Sequence, residues 1–100
     1  MKLRHVVLHS PGEAWQQGVD FRDQPGVMDH VQHYAKLHAE GKLLMGGPFV
    51  DADSGGMMVA SEDVTKDELM AFANQDPAIQ SGLLTFQVKT WYIPMEKEAS

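Results

Sequence analysis

Residues at the start of the chain alternate. In "KLRHVVLHS", Leu3, His5, Val7 and His9 fall on one face and Arg4, Val6 and Leu8 on the other, the two-residue period of a strand. At Val27 the pattern changes to helix formers, which continue to Glu40. Gly41 then supplies a left-handed stop, so a helix is predicted over 27–40. The intervening "PGEAWQQGVDFRDQPG" is bounded by Pro-Gly pairs, with polar residues scattered around Trp15 and Phe21. It predicts a long loop, of the kind that carries function in small domains.

"KLLMGGPF" and "GGMMVAS" are apolar runs of strand length, and "VDADSGG" between them has the composition of a turn, so a hairpin is expected. Thr65 and Glu68 form a capping-box pair, which starts a second helix through about Asn74 with Leu69, Phe72 and Ala73 on its apolar face. Asp76 as cap, Pro77 at the first helical position and Gly82 as stop predict one further turn. In "LLTFQVKTWYI", Leu84, Phe86, Val88, Thr90 and Tyr92 alternate with Leu83, Thr85, Gln87, Lys89 and Trp91, giving the last and longest strand. The order β-α-β-β-α-β is a split βαβ arrangement of the α+β class, a four-stranded antiparallel sheet with two helices on one face. Both faces of the last strand carry large apolar groups, so the sheet face away from the helices also needs cover. A homodimer with its sheets packed together would supply it.

Length and charge narrow the functions. One hundred residues, 43% of them hydrophobic, suit one core and a single domain over 1–100. Eight basic and fourteen acidic side chains leave a net charge of −6, which repels phosphate backbones and anionic lipid, so neither nucleic acid nor membrane is an expected partner. The absence of cysteine excludes disulfides, thiolate metal sites and thiol nucleophiles. The N-terminal apolar run is short and broken by histidines, unlike a signal peptide or a membrane span, and a cytoplasmic protein is expected.

"DHVQHYAKLH" places three histidines on the first helix. At about 100° per residue, Leu37, His30, Tyr34, Val27, His38, Val31 and Ala35 cover one broad arc. His30 lies inside this stripe, and His33 lies on its border. Neither has a histidine four residues away, as a two-imidazole metal site on one helix usually requires. The pair His30 and His33 would chelate weakly, and His5 or His9 from the first strand would add a third ligand. Nothing in the spacing demands it, so no metal is expected. His38, in the last turn, suits the negative end of the helix dipole. A buried His30 needs a partner for its ring nitrogens: a carbonyl or water in a structural role, or a carboxylate, which would fix the tautomer and suit the ring to proton transfer.

The segment from His30 to the final strand resembles the YCII-related family. The ordered features are His30, Gly41 to Leu43, Gly47 with Pro48, Gly55 with Gly56, Asp76 with Pro77, and Gly82 with Leu83. The resemblance implies a ferredoxin-like, dimeric α+β barrel in which His30 and Asp76 meet as a general acid/base pair. It also brings lyase or isomerase chemistry on aromatic breakdown products into view. The stretch from Ser10 to Pro25 is longer than the loop expected in that family, and would cover or reshape the pocket.

Asp76 also has a plain reading as a helix cap, and its two oxygens permit both tasks at once. Gly46, Gly47 and Pro48 shape a strand end and let a ligand approach the backbone closely. Trp15, Phe21 and Tyr34 suit the lining of a pocket for a flat ring, or act as core and loop anchors. Arg22 is placed to hold an anionic group, or is an ordinary surface arginine. The expected function is therefore cofactor-independent proton transfer by His30 and Asp76 on a small cyclic molecule, with Tyr34, Gly47, Pro48 and Arg22 as substrate-binding residues. The alternative is a small-molecule-binding or structural dimer without turnover.

Overall fold

The computed structural model describes residues 2–51 and 55–98. The chain forms β1 (Leu3–Pro11), α1 (Val27–Ala39), β2 (Leu43–Pro48), β3 (Gly56–Ala60), α2 (Lys66–Asn74), α3 (Pro77–Gln80) and β4 (Leu84–Tyr92). The strands lie in the order β2-β3-β1-β4, and every neighbouring pair is antiparallel. This is the ferredoxin-like α+β arrangement expected from the element order. The centre of the expected β2–β3 turn, Ala52 to Ser54, lies outside the described residues.

One face of the sheet carries the main core. Val7 of β1 pairs with Met58 of β3 and Val88 of β4, and with Ala60 these residues meet Tyr34 and Leu37 of α1 and Leu69 and Ala73 of α2. Leu69 is fully buried, a contribution of about 1.5–3 kcal/mol for its side chain. The α2 capping box forms as the sequence predicts, with Thr65 accepting from the Glu68 N–H and Glu68 accepting from that of Thr65. Among the described residues, no helix is long and apolar enough to cross a membrane.

The segment after β1 is tightly fastened. Gly12 and Ala14 donate to the carbonyls of Leu83 and Gly82, both at 2.9 Å. A Cβ on Gly12 would lie 2.2 Å from the Gly82 oxygen, so this approach requires glycine. Further along, the buried Gln24 side chain donates to the carbonyls of Gln16 and Val19 and accepts from the Gln16 N–H. The segment expected as plain loop also contains a short 3-10 turn, Phe21–Asp23, whose Arg22 N–H is held by the Asp20 carboxylate.

Helix α1 is rotated from its sequence-predicted setting. His33, placed on the border of the stripe, is buried; its Nε2 lies 2.7 Å from the Phe72 carbonyl oxygen and its ring stacks on Phe72 at 4.0 Å. Val31, placed inside the stripe, is 48% exposed, and Ala35 and His38 are exposed as well. The cause is α2, which packs on the His33 flank and leaves the opposite flank of the stripe facing an open hollow.

Candidate active site

Three elements converge on one carboxylate. Asp76 caps α3, and its Oδ1 accepts the Ala78 N–H at 2.9 Å. Its Oδ2 lies 2.6 Å from Nδ1 of His30, one turn into α1. His9, near the end of β1, places Nε2 3.9 Å from the same Oδ2. Asp76 has no solvent exposure, the His9 side chain is 1% exposed and that of His30 is 12% exposed, so His30 is the member that meets the outside.

The protonation states follow from this packing. Burial pushes the Asp76 carboxyl upward, yet the His30 hydrogen bond, the Ala78 N–H and the two imidazoles outweigh it, so its pKa falls below the usual carboxylate value. Asp76 is therefore an anion near neutral pH. Burial above all, then the neighbouring His30, drives the His9 pKa down to about 4 against a partial pull from Asp76. His9 is thus neutral at pH 7, and its 3.9 Å approach to Asp76 is not an ion pair. With Asp76 ionised, Nδ1 of His30 is the donor in their contact, and in the neutral ring this leaves the lone pair on Nε2. Burial, and second the charge of Asp76, raise the pKa of Tyr34, whose hydroxyl stays protonated.

The rings of His9, His30 and Tyr34 pack edge to face with centroids 4.9 to 5.5 Å apart. All three border a cavity of about 640 Å³, a volume suited to a small organic ligand. Its other walls include Trp15, Phe21 and Arg22 from the fastened segment, Met28 and Val31 from α1, Gly47 and Pro48 from β2, and Met58 from β3. The hollow thus brings together His30, Tyr34, Gly47, Pro48 and Arg22, while Asp76 lies behind His30. The Arg22 guanidinium rests 4.9 Å above the Phe21 ring, and its side chain is 73% exposed. Of Gly46 and Gly47, Gly46 makes the close approach: a Cβ there would lie 2.3 Å from Met58 Sδ, whereas one on Gly47 would meet open space.

His9 is the site residue that sequence reasoning left in the background. The alternation of β1 puts it on the inward face with Val7. Its neighbourhood with Asp76 depends on packing between β1, α1 and α3, which no local signal encodes. Among the described residues, neither of its ring nitrogens has a hydrogen-bond partner, nor has the buried Tyr34 hydroxyl.

A ferredoxin-like sheet with a hollow under its first helix and a histidine–aspartate contact at the hollow's inner end places the chain among small α+β domains with a ligand-sized cavity. Residues 4–92 match the YCII-related domain, and the chain belongs to the YCII-related family. It is 30% identical over 69 residues to the uncharacterized protein YjpA of Bacillus subtilis (strain 168), an alignment covering 69% of this chain and 79% of YjpA. Its fold is similar to that of 5-chloro-2-hydroxyhydroquinone dehydrochlorinase (TftG) from Burkholderia phenoliruptrix AC1100, solved in complex with 2,5-dihydroxybenzoquinone. The TM-score is 0.62 at 21% identity, covering 91% of this chain and 94% of the other.

Proposed function

We propose that this protein is a cofactor-independent acid/base enzyme acting on a small cyclic, unsaturated molecule. The observation that carries this reading is the 2.6 Å contact between His30 Nδ1 and the buried Asp76 carboxylate beside a largely apolar cavity. Asp76 fixes the tautomer of His30, whose Nε2 accepts a proton from a ring hydroxyl or an acidic C–H of the ligand. The electron pair released moves into the ring. Either an anion leaves from a neighbouring carbon, giving elimination, or the proton returns at another carbon, giving isomerisation. Tyr34, Gly47 and Pro48 shape the bound ring, and Arg22 at the rim receives an anionic substituent. The dehydrochlorinase with a similar fold supports elimination on hydroxylated, halogenated rings as the first chemistry to try.

The same reading takes residues 1–100 as one domain, paired as a homodimer through the sheet face opposite the helices, where Trp91 is 44% exposed. Light scattering at several concentrations measures that pairing.

The enzymatic test is incubation with halogenated hydroxyhydroquinones, following halide release and ultraviolet absorbance. Turnover is expected to fall about 10²- to 10⁴-fold in His30→Ala and in Asp76→Asn while circular dichroism stays native. Rates unchanged in both variants would overturn the pair's role. Ligand binding with no turnover in any form would leave the cavity as that of a binding protein.

A further inference from the structure

Among the described residues, the most anomalous group is His9. It is 3% exposed, and neither of its ring nitrogens finds a hydrogen-bond partner among them. An unpartnered buried imidazole is costly, and neutral imidazole is also the commonest protein ligand for a transition metal. Its Nε2 faces the Asp76 oxygen that His30 also contacts, and one ligand atom from each of His9, His30 and Asp76 lies within 4.8 Å of the others.

We propose that His9, His30 and Asp76 form a binding site for a divalent zinc-class ion, and that the ion and the His30–Asp76 hydrogen bond are alternative occupants of the same space. Two nitrogens and one carboxylate oxygen are a donor set suited to zinc, cobalt or iron(II). Ligand atoms about 2.1 Å from a tetrahedral ion lie about 3.4 Å apart. The present separations from Asp76 Oδ2, 2.6 Å to His30 and 3.9 Å to His9, straddle that value. One contact opens and the other closes, each by less than about 1 Å. The Ala78 N–H on Oδ1 holds the carboxylate in place, and the cavity beside His9 and His30 leaves room for a water or a ligand oxygen as fourth donor.

The proton balance makes the ion an inhibitor of the chemistry proposed above, on which this consequence rests. When His30 Nδ1 gives its lone pair to the metal, the proton it carried moves to Nε2, and the ring stays neutral with no net release. Nε2 then bears hydrogen and no longer serves as a base. Metal uptake itself is independent of any turnover and is measured without substrate.

Chelator-stripped protein is titrated with zinc by calorimetry and with cobalt(II) by visible absorption. The expected result is one ion per chain, an absorption spectrum of four-coordinate cobalt, and an affinity reduced at least tenfold in His9→Phe and in Asp76→Asn but unchanged in His5→Ala, whose ring contacts Thr90 instead. Nitrogen-15 imidazole spectra of the wild-type protein, which need no variant to fold, are expected to show zinc-induced shifts at His9 and His30. Binding that survives His9→Phe undiminished, or zinc-induced shifts confined to other histidines, overturns the proposal. So does the absence of stoichiometric uptake. Failure of the enzymatic test above leaves each of these outcomes readable.

Discussion

Asp76 divides its carboxylate between two elements, giving Oδ1 to the first turn of α3 and Oδ2 to His30 Nδ1 at 2.6 Å. Asparagine at this position keeps an oxygen for the Ala78 N–H but turns an N–H₂ toward His30, which reverses the imidazole tautomer. Asp76→Asn is therefore expected to lose activity on any proton-transfer substrate while melting above Asp76→Ala, because the cap is kept. Asp76→Ala loses both contacts and is expected to be destabilised by about 2 kcal/mol. Thermal melts of the two variants, run beside the activity assay, separate the cap from the chemistry.

Stability should fall on mild acidification. The His9 pKa is about 4 in the fold against 6.5 for an unperturbed imidazole, so as pH drops below 6.5 the unfolded chain takes up a proton that the folded one refuses. The loss runs from about pH 6.5 to about 4 and amounts to roughly 3 kcal/mol. Asp76 has a depressed pKa with the same consequence at lower pH: its charge stabilises the fold above the usual carboxylate range, and that contribution vanishes as pH falls through its folded value. Urea midpoints from pH 8 to 4, with chelator present, are expected to show the decline in wild type. In His9→Phe the portion above pH 4 is expected to be much smaller.

Removing the Tyr34 hydroxyl tests the unpartnered groups. The oxygen is buried without a hydrogen-bond partner among the described residues, so Tyr34→Phe is expected to melt no lower than wild type in the absence of ligand. A drop of several degrees would show that the hydroxyl already has a partner, such as an internal water.

Gln24 fastens the wall that carries Trp15, Phe21 and Arg22. Gln24→Ala strands the backbone groups of Gln16 and Val19 and is expected to cost about 2 kcal/mol. Proteolysis within residues 12–26 should become faster, and ligand affinity should weaken, with little effect on the His30–Asp76 contact in imidazole NMR.

His33→Ala addresses a different region. It removes the contact with the Phe72 carbonyl and the ring stack between α1 and α2, so a loss of about 2 kcal/mol is expected in urea titration. The His30–Asp76 contact is made one turn earlier on α1, through a different partner, and should persist.

These residues show how far local pattern reaches. The alternation of β1 and β4, the Thr65–Glu68 box and the Asp76–Pro77 start of α3 are encoded by near neighbours, and the chain forms each of them. The orientation of α1 is not encoded in this way. A helical wheel centres the buried face on the mean of the apolar side chains, whereas here Phe72 of α2 claims His33 and the hollow claims Val31 and Ala35. His9 has the same origin: its inward direction is legible from its neighbours in β1, but its closeness to Asp76 arises between residues far apart in sequence.

The sharing of Asp76 also bears on divergence. A descendant that abandons proton transfer still needs an acceptor at the head of α3, so drift at position 76 should favour asparagine or serine over an aliphatic residue. His30 carries no such second duty. In lineages whose reaction has lapsed, the imidazole should disappear first, with its former partner outlasting it as a scar of the lost trade.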